Sequence, residues 1–227
     1  MAGGVAAITP VITERVRPVA LAREQVLPVI SPLTTLLPQG LVRGTTVAID
    51  GCSGVTSLAL AIAAGPSQEG SWVAAVGVPW LGLGAAAECG VALERLAVVS
   101  APERSAWATV VAALVDAIDV VLVCPPQRVA MGDARRLAAR ARERGAVLLV
   151  VGATSALTVD VRCTVSDSQW SGVEHGAGHL QSRRVTVTAT GRGSAARARS
   201  TSLWLPGPDG TIATCSTVTP LVHAEAG

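Results

Sequence analysis

The chain contains no lysine: all 18 of its basic residues are arginine. A lysine ammonium supplied by this chain is therefore excluded, including the one that clamps the β- and γ-phosphates in a nucleotide-hydrolysing loop. Phenylalanine and tyrosine are absent as well, so the core must be assembled from Val, Ala and Leu. Charged residues make up 15% of the chain, below the roughly 25% of ordinary soluble domains. The five cysteines, Cys52, Cys89, Cys124, Cys163 and Cys215, include no C-x-x-C pair, which fits reduced thiols filling core space in a cytoplasmic protein. No basic residue precedes the short apolar N-terminus, so a secretory signal is not expected. The most membrane-like window, Ala106 to Cys124, holds Asp116 and Asp119. A helix followed by a strand accounts for it better than a span of about 20 apolar residues. No membrane association is expected.

What is present is apolar and regular. The 227 residues are 50% hydrophobic, enough for one medium domain with strands buried on both faces. Net charge is +2 but uneven. Residues 1–126 carry 6 arginines against 9 acidic residues, net −3, and residues 127–227 carry 12 against 7, net +5. The basic half would suit an acidic partner or nucleic acid, or would serve as a solvated arginine-rich surface.

Three regions are expected: an N-terminal arm at 1–28, punctuated by proline, a core at 29–205, and a flexible Pro/Gly/Thr/Ser-rich tail at 206–227. Within the core, strands are predicted at 45–50, 72–77, 95–100, 119–124 and 146–151. Helices at 55–64, 81–89, 103–116 and 132–144 separate them, with Gly65-Pro66-Ser67 breaking the first. The alternation implies a mostly parallel sheet with right-handed crossovers. Residues 159–165, 185–190 and 198–205 read as strands of an antiparallel C-terminal extension, with 166–182 as a polar, Gly-rich loop.

The chemistry-bearing candidate is the strand-to-helix turn Gly51-Cys52-Ser53-Gly54-Val55-Thr56-Ser57. A turn of small residues opening a helix is the frame of a phosphate cradle, and backbone amides there can hold an anion. Gly51, Ser53, Gly54, Thr56 and Ser57 are the candidate binding residues. Thr56 would be either a Mg²⁺-binding hydroxyl or a helix-start residue. On helix 132–144, Arg136, Arg140 and Arg144 form one stripe while Leu137, Ala138 and Ala141 face inward. Arg183, Arg184, Arg192, Arg197 and Arg199 form a second basic cluster, a candidate contact for a partner or for phosphates. His175 and His179 lie four apart in a Gly-rich stretch without helix signals, and no metal is expected. The five tryptophans read mostly as core, with Trp80 the best candidate for an exposed contact.

Motif order makes the chain resemble the RecA-like recombinases. Leu36-Leu37-Pro38-Gln39-Gly40-Leu41-Val42-Arg43-Gly44 resembles that family's lead into its phosphate-loop strand, and residues 90–100 (from Gly90-Val91 to Val99-Ser100) resemble a segment further on. Asp119 to Cys124 sits where the Walker B strand belongs. The resemblance covers about residues 30–210 and implies an α/β RecA-like P-loop core, with a mostly parallel central sheet flanked by helices. It also locates three losses: Val55 at the phosphate-loop lysine, Val78 at the catalytic glutamate, and Cys124-Pro125 where an aspartate should end the Walker B strand. Both segments corresponding to the family's DNA-binding loops are short.

In detail the chain most resembles the RecA-like accessory proteins of actinobacterial mutasomes, the ImuA-prime group, through its arginine-for-lysine usage, strand 71–77 and helix 134–142. That resemblance implies a non-catalytic adaptor in DNA-damage-induced mutagenesis and translesion synthesis. It implies as partners an inactive Y-family polymerase homologue and an error-prone C-family polymerase, with no cofactor and weak or no direct DNA binding. An oligomer is compatible with it. Two alternatives stand beside it: an unorthodox DNA-dependent ATPase or recombinase-like enzyme, and a SulA-like cell-division inhibitor. An ATPase needs a cation and a carboxylate at the γ-phosphate, so a charged residue pointing into the 51–57 loop would favour the enzyme.

Overall fold

A computed structural model of the chain describes residues 26–126, 129–152, 157–174, 177–192 and 196–215. Two short strands, β1 (Val26–Leu27) and β2 (Leu41–Val42), pair antiparallel ahead of the main sheet. The main sheet contains β3 (Thr46–Gly51), β4 (Val73–Val76), β5 (Leu96–Val99), β6 (Val120–Val123), β7 (Val147–Val151), β8 (Val161–Glu174), β9 (Ala177–Gly191), β10 (Arg199–Trp204) and β11 (Ala213–Thr214). Its spatial order is β11-β10-β9-β8-β3-β7-β6-β4-β5. From β8 to β5 every neighbouring pair is parallel; β8–β9, β9–β10 and β10–β11 are antiparallel. The helices are α1 (Val55–Gln68), α2 (Leu83–Glu88), α3 (Trp107–Ala117) and α4 (Met131–Arg144). Among the described residues no helix is long and apolar enough to cross a membrane.

The near-continuous apolar strands reflect burial on both faces. Along β7, Val147, Leu149 and Val151 pack into one core with α1, while Leu148 and Val150 join the other core with α3 and α4. Helix α1 is buried from Leu58 to Ser67, which its run of alanines permits by letting the backbone lie close to the sheet. On α4, Leu137, Ala138 and Ala141 are buried as the helical period requires. Its Arg140 and Arg144 both reach Asp116 of α3. The hydrogen bond from Arg140 holds the Asp116 carboxyl below its usual range. Gly145, at φ 69°, closes the helix in the left-handed conformation.

Several boundaries differ from expectation. The break at Gly65-Pro66-Ser67 does not occur: α1 continues to Gln68 with Pro66 inside its last turns. A Cβ on Gly65 would stand 2.7 Å from the Pro28 carbonyl oxygen, so the glycine is there to let the 28–29 segment cross the helix. Leu27, within the expected arm, is buried against the core, while Val26 beside it is exposed. Residues 1–25 lie outside the described residues. The tail likewise starts later than 206. Arg183 donates its amide to the Pro206 carbonyl, and β11 pairs with β10 through Thr214. Residues 216–227, with the apolar island 217–222, lie outside the described residues. The stretch 166–182, expected as a loop, belongs largely to the long β8 and β9, whose pairing is interrupted by bulges. β8 is also parallel to β3, so it completes the parallel sheet before the antiparallel extension begins.

One polar knot ties the opposite end of the sheet. Arg43 Nη1 donates to Asp119 Oδ1 at 2.9 Å and to the Gly145 carbonyl at 3.3 Å, and the Trp72 amide donates to Asp119 Oδ2 at 3.1 Å. Both charged side chains are largely buried. Asp119→Ala is expected to cost about 2–4 kcal/mol, because it strands the Arg43 guanidinium without this carboxylate. Urea unfolding measures the loss; a change within the error of the midpoint would show the knot to be dispensable.

Candidate functional site

The loop between β3 and α1 is shaped by two glycines. Gly51 has φ 117°, and a Cβ there would lie 2.1 Å from the Val165 carbonyl oxygen. The Cys52 amide donates to that same oxygen at 3.0 Å. Gly54 caps α1 in the left-handed region, at φ 116°. The amides of Ser53, Gly54, Val55, Thr56 and Ser57 find no backbone acceptor among the described residues. An open cleft of about 340 Å³ is lined by residues 52–57 and Arg183. Of the expected loop residues, Ser53, Gly54, Thr56 and Ser57 line it, and Gly51 forms its base at the strand end.

Arg183 overturns an expectation. Grouped by sequence with exposed arginines, it is 6% exposed. Its Nη1 donates to Ser53 Oγ at 3.2 Å, Nη2 to Ser57 Oγ at 2.6 Å, and Nε to the Leu205 carbonyl at 2.7 Å. The guanidinium lies 4.8 Å from the ring centroid of Trp170. Its loss of water pushes its pKa below the ordinary arginine value. The signal was legible: strand period two puts Arg183 on the same face as Val185, Val187 and Ala189, which are all buried. A charged residue on a buried face announces a specific partner.

Other groups define what the cleft lacks. No carboxylate among the described residues lines it. Asp50, the acid closest in sequence, is taken by β8: it pairs with Arg162 and accepts from Thr164 Oγ1 at 2.9 Å. The Thr56 hydroxyl accepts from Trp80 Nε1 at 3.2 Å, so an indole sits on the hydroxyl proposed for Mg²⁺. Val78 is buried in the core. Burial raises the half-buried Cys124 thiol above its usual pKa. Cys89, close to the Ser57 carbonyl, is pushed up to about 11, mainly by burial and then by Glu88.

The remaining basic residues are separate from the cleft. Arg184 points to the opposite face and donates to Gln169 Oε1 at 3.0 Å. Arg192 and Arg197 are exposed and Arg199 half-buried, near the β9–β10 end of the hairpin. His179 is exposed, His175 lies outside the described residues, and no metal-type cluster occurs among the described residues. The tryptophans are less buried than expected. Trp107 is in the core, whereas Trp72, Trp80 and Trp170 are exposed, Trp80 most of all.

A mostly parallel sheet, flanked by helices and extended by antiparallel strands, with a strand–loop–helix turn at its centre, defines a RecA-like fold. The solved RadB recombinase shares it, with a TM-score of 0.59 at 13% identity over 82% of this chain and 97% of that one. Residues 35–156 match the family described as the MT3502 N-terminal domain. The uncharacterized Mycobacterium tuberculosis protein Rv3395c is 36% identical over 158 residues, 69% of this chain and 70% of that protein. The chain belongs to the MT3502 family.

Proposed function

We propose that this protein is a non-catalytic RecA-like accessory factor of the ImuA-prime type, serving DNA-damage-induced mutagenesis by joining polymerase subunits. The observation that carries the non-catalytic reading is the composition of the cleft: among the described residues no carboxylate lines it, and its Thr56 hydroxyl is engaged by Trp80. Phosphoryl transfer requires a metal, charge stabilisation and a positioned water. Arg183 favours the enzyme reading by supplying a cation. The acid that would hold a metal or activate water has no counterpart in the lining, so the cation alone does not restore the chemistry.

A core without catalysis acts through its surfaces. The exposed arginines 184, 192 and 197, with Arg199, are suited to steer an acidic partner. Phosphate contacts by the same residues would be weak and salt-sensitive. The partners this reading names are an inactive Y-family polymerase homologue and an error-prone C-family polymerase.

Tagged protein recovered from DNA-damaged cells is expected to carry the polymerase-like partner. Two variants locate the contact: a truncation after Cys215, which spares β11, and the double variant Arg197→Ala with Arg199→Ala. Each should keep the wild-type unfolding midpoint and recover less partner. Recovery at wild-type level by both would move the interface to another face, and absence of any polymerase-like protein from wild-type eluates would sink the adaptor reading.

A further inference from the structure

We propose that two copies of this chain pair through their β5 edges, antiparallel about a two-fold axis at Val98, so that two nine-stranded sheets become one. The inference goes beyond the polymerase-adaptor reading and stands independently of it.

The first observation is an unguarded edge. Among the described residues β5 has β4 as its single neighbour and closes one side of the sheet. Its residues Leu96-Ala97-Val98-Val99 include no charge and no proline. Natural edges are normally very short, charged or covered, because open backbone groups template another strand. The opposite side of the sheet obeys this: β11 is two residues long, and β10 beside it opens on Arg199. The second observation is Val98 itself. Leu96 packs against the cluster around Ala86 and Val91. Val98, two residues on and so on the same face, is 54% exposed. Leu93, just before the strand, is 41% exposed.

The backbone fixes how a second copy would sit. The Gly77 amide donates to the Val99 carbonyl at 3.2 Å, so the groups of Val99 face β4. Bonding direction alternates along a strand, which turns the amide and carbonyl of Val98 outward. An antiparallel copy with Val98 opposite Val98 exchanges both bonds there and lays the two exposed valine side chains together. The flanking charges select this direction. Antiparallel pairing sets the Glu94–Arg95 end of one copy toward the Glu103–Arg104 end of the other, with opposite charges within reach at both ends. Parallel pairing in register would set like beside like. A short ladder makes a modest interface, so the dimer is expected to dissociate in roughly the micromolar range.

Sedimentation velocity of the full-length protein over a concentration series tests this. The wild type is expected to pass from one to two chain masses and to stop there. Val98→Lys and Val98→Glu each place like charges face to face at the axis, and each should weaken association about tenfold or more. Their unfolding midpoints should stay near that of the wild type, because the side chain is exposed. An equimolar mixture of the two variants should regain the dimer, since each lysine then faces a glutamate; such rescue requires that position 98 meet position 98. Should either variant fail to fold, hydrogen exchange on the wild type serves instead, with protection of the Val98 amide expected to rise with protein concentration. A wild type that remains monomeric at about a hundredfold above the micromolar range overturns the proposal. So does undiminished association of a folded Val98→Lys, growth beyond two chains, or Val98 protection that ignores concentration. A mixture that associates no better than the single variants also overturns it, and would assign the edge to a different strand.

Discussion

Given Mg²⁺-ATP and single-stranded DNA, the purified protein is expected to release phosphate no faster than a protein-free control, and Val55→Lys is expected to leave that result unchanged. Val55 opens α1 with its side chain packed against the core, so no cation enters from the helix. Val78 is 5% exposed and offers no base. Cys124 follows β6 as a half-buried thiol, raised in pKa by burial, and holds no metal-orienting charge. Each such group contributes on the order of 10²–10⁵ in rate in phosphoryl-transfer enzymes, so their joint loss leaves no measurable turnover. The structure adds a reason why the single reversion fails. Arg183 already places a guanidinium against Ser53 and Ser57. A lysine at 55 would bring a second cation to the same cleft while supplying no acid. Phosphate release assayed with radiolabelled ATP decides the matter. DNA-stimulated turnover within about tenfold of a typical NTPase rate would refute it.

Gly51→Ala is expected to destabilise the fold by about 3–5 kcal/mol, from a positive-φ position and a backbone collision acting together. The new Cβ would meet the Val165 carbonyl oxygen at 2.1 Å and its amide nitrogen at 2.7 Å. Neither can retreat easily, because Gly51 and Val165 are paired in the β3–β8 ladder. Val165 is also paired with Val187 on its other side. Gly70→Ala is the control: it has φ 85° and nothing within 4 Å of the added Cβ, so only the left-handed strain remains, roughly 1–2 kcal/mol. The difference between the two urea midpoints reads out the collision. Equal losses would show that the β3–β8 approach is not the constraint.

Much of the architecture follows from local pattern. Val147 to Val151 and Val120 to Val123 are apolar at every position because both faces of a central parallel strand are covered. The arginine stripe of α4 leaves Leu137 and Ala141 inward by the 3.6-residue period. The strand–loop–helix turn was legible because Gly51 and Gly54 take positive φ there. Proline misled at position 66: its ring costs one hydrogen bond, which the packing of a helix buried from Leu58 to Ser67 outweighs. The polarity of 166–182 misled in the same way, since a long hairpin whose outer part is exposed on both faces carries polar residues without being a loop.

By itself the sequence determined the alternating elements, the strand–loop–helix turn and the absence of lysine. These depend on neighbours within a few residues and on the two backbone periods. Only the tertiary structure decided that Arg183 and Trp80 meet the turn. Arg183 Nη2 reaches Ser57 Oγ across 126 residues of chain, and Trp80 Nε1 reaches Thr56 Oγ1 across 24. Strand period puts Arg183 on the buried face, but what lies opposite depends on β8 standing between β3 and β9 and on a register broken by bulges. A shift of one residue would turn the guanidinium to solvent. Sheet order and register are global properties, and they carry Arg183, the one buried arginine among the described residues, to the loop between β3 and α1.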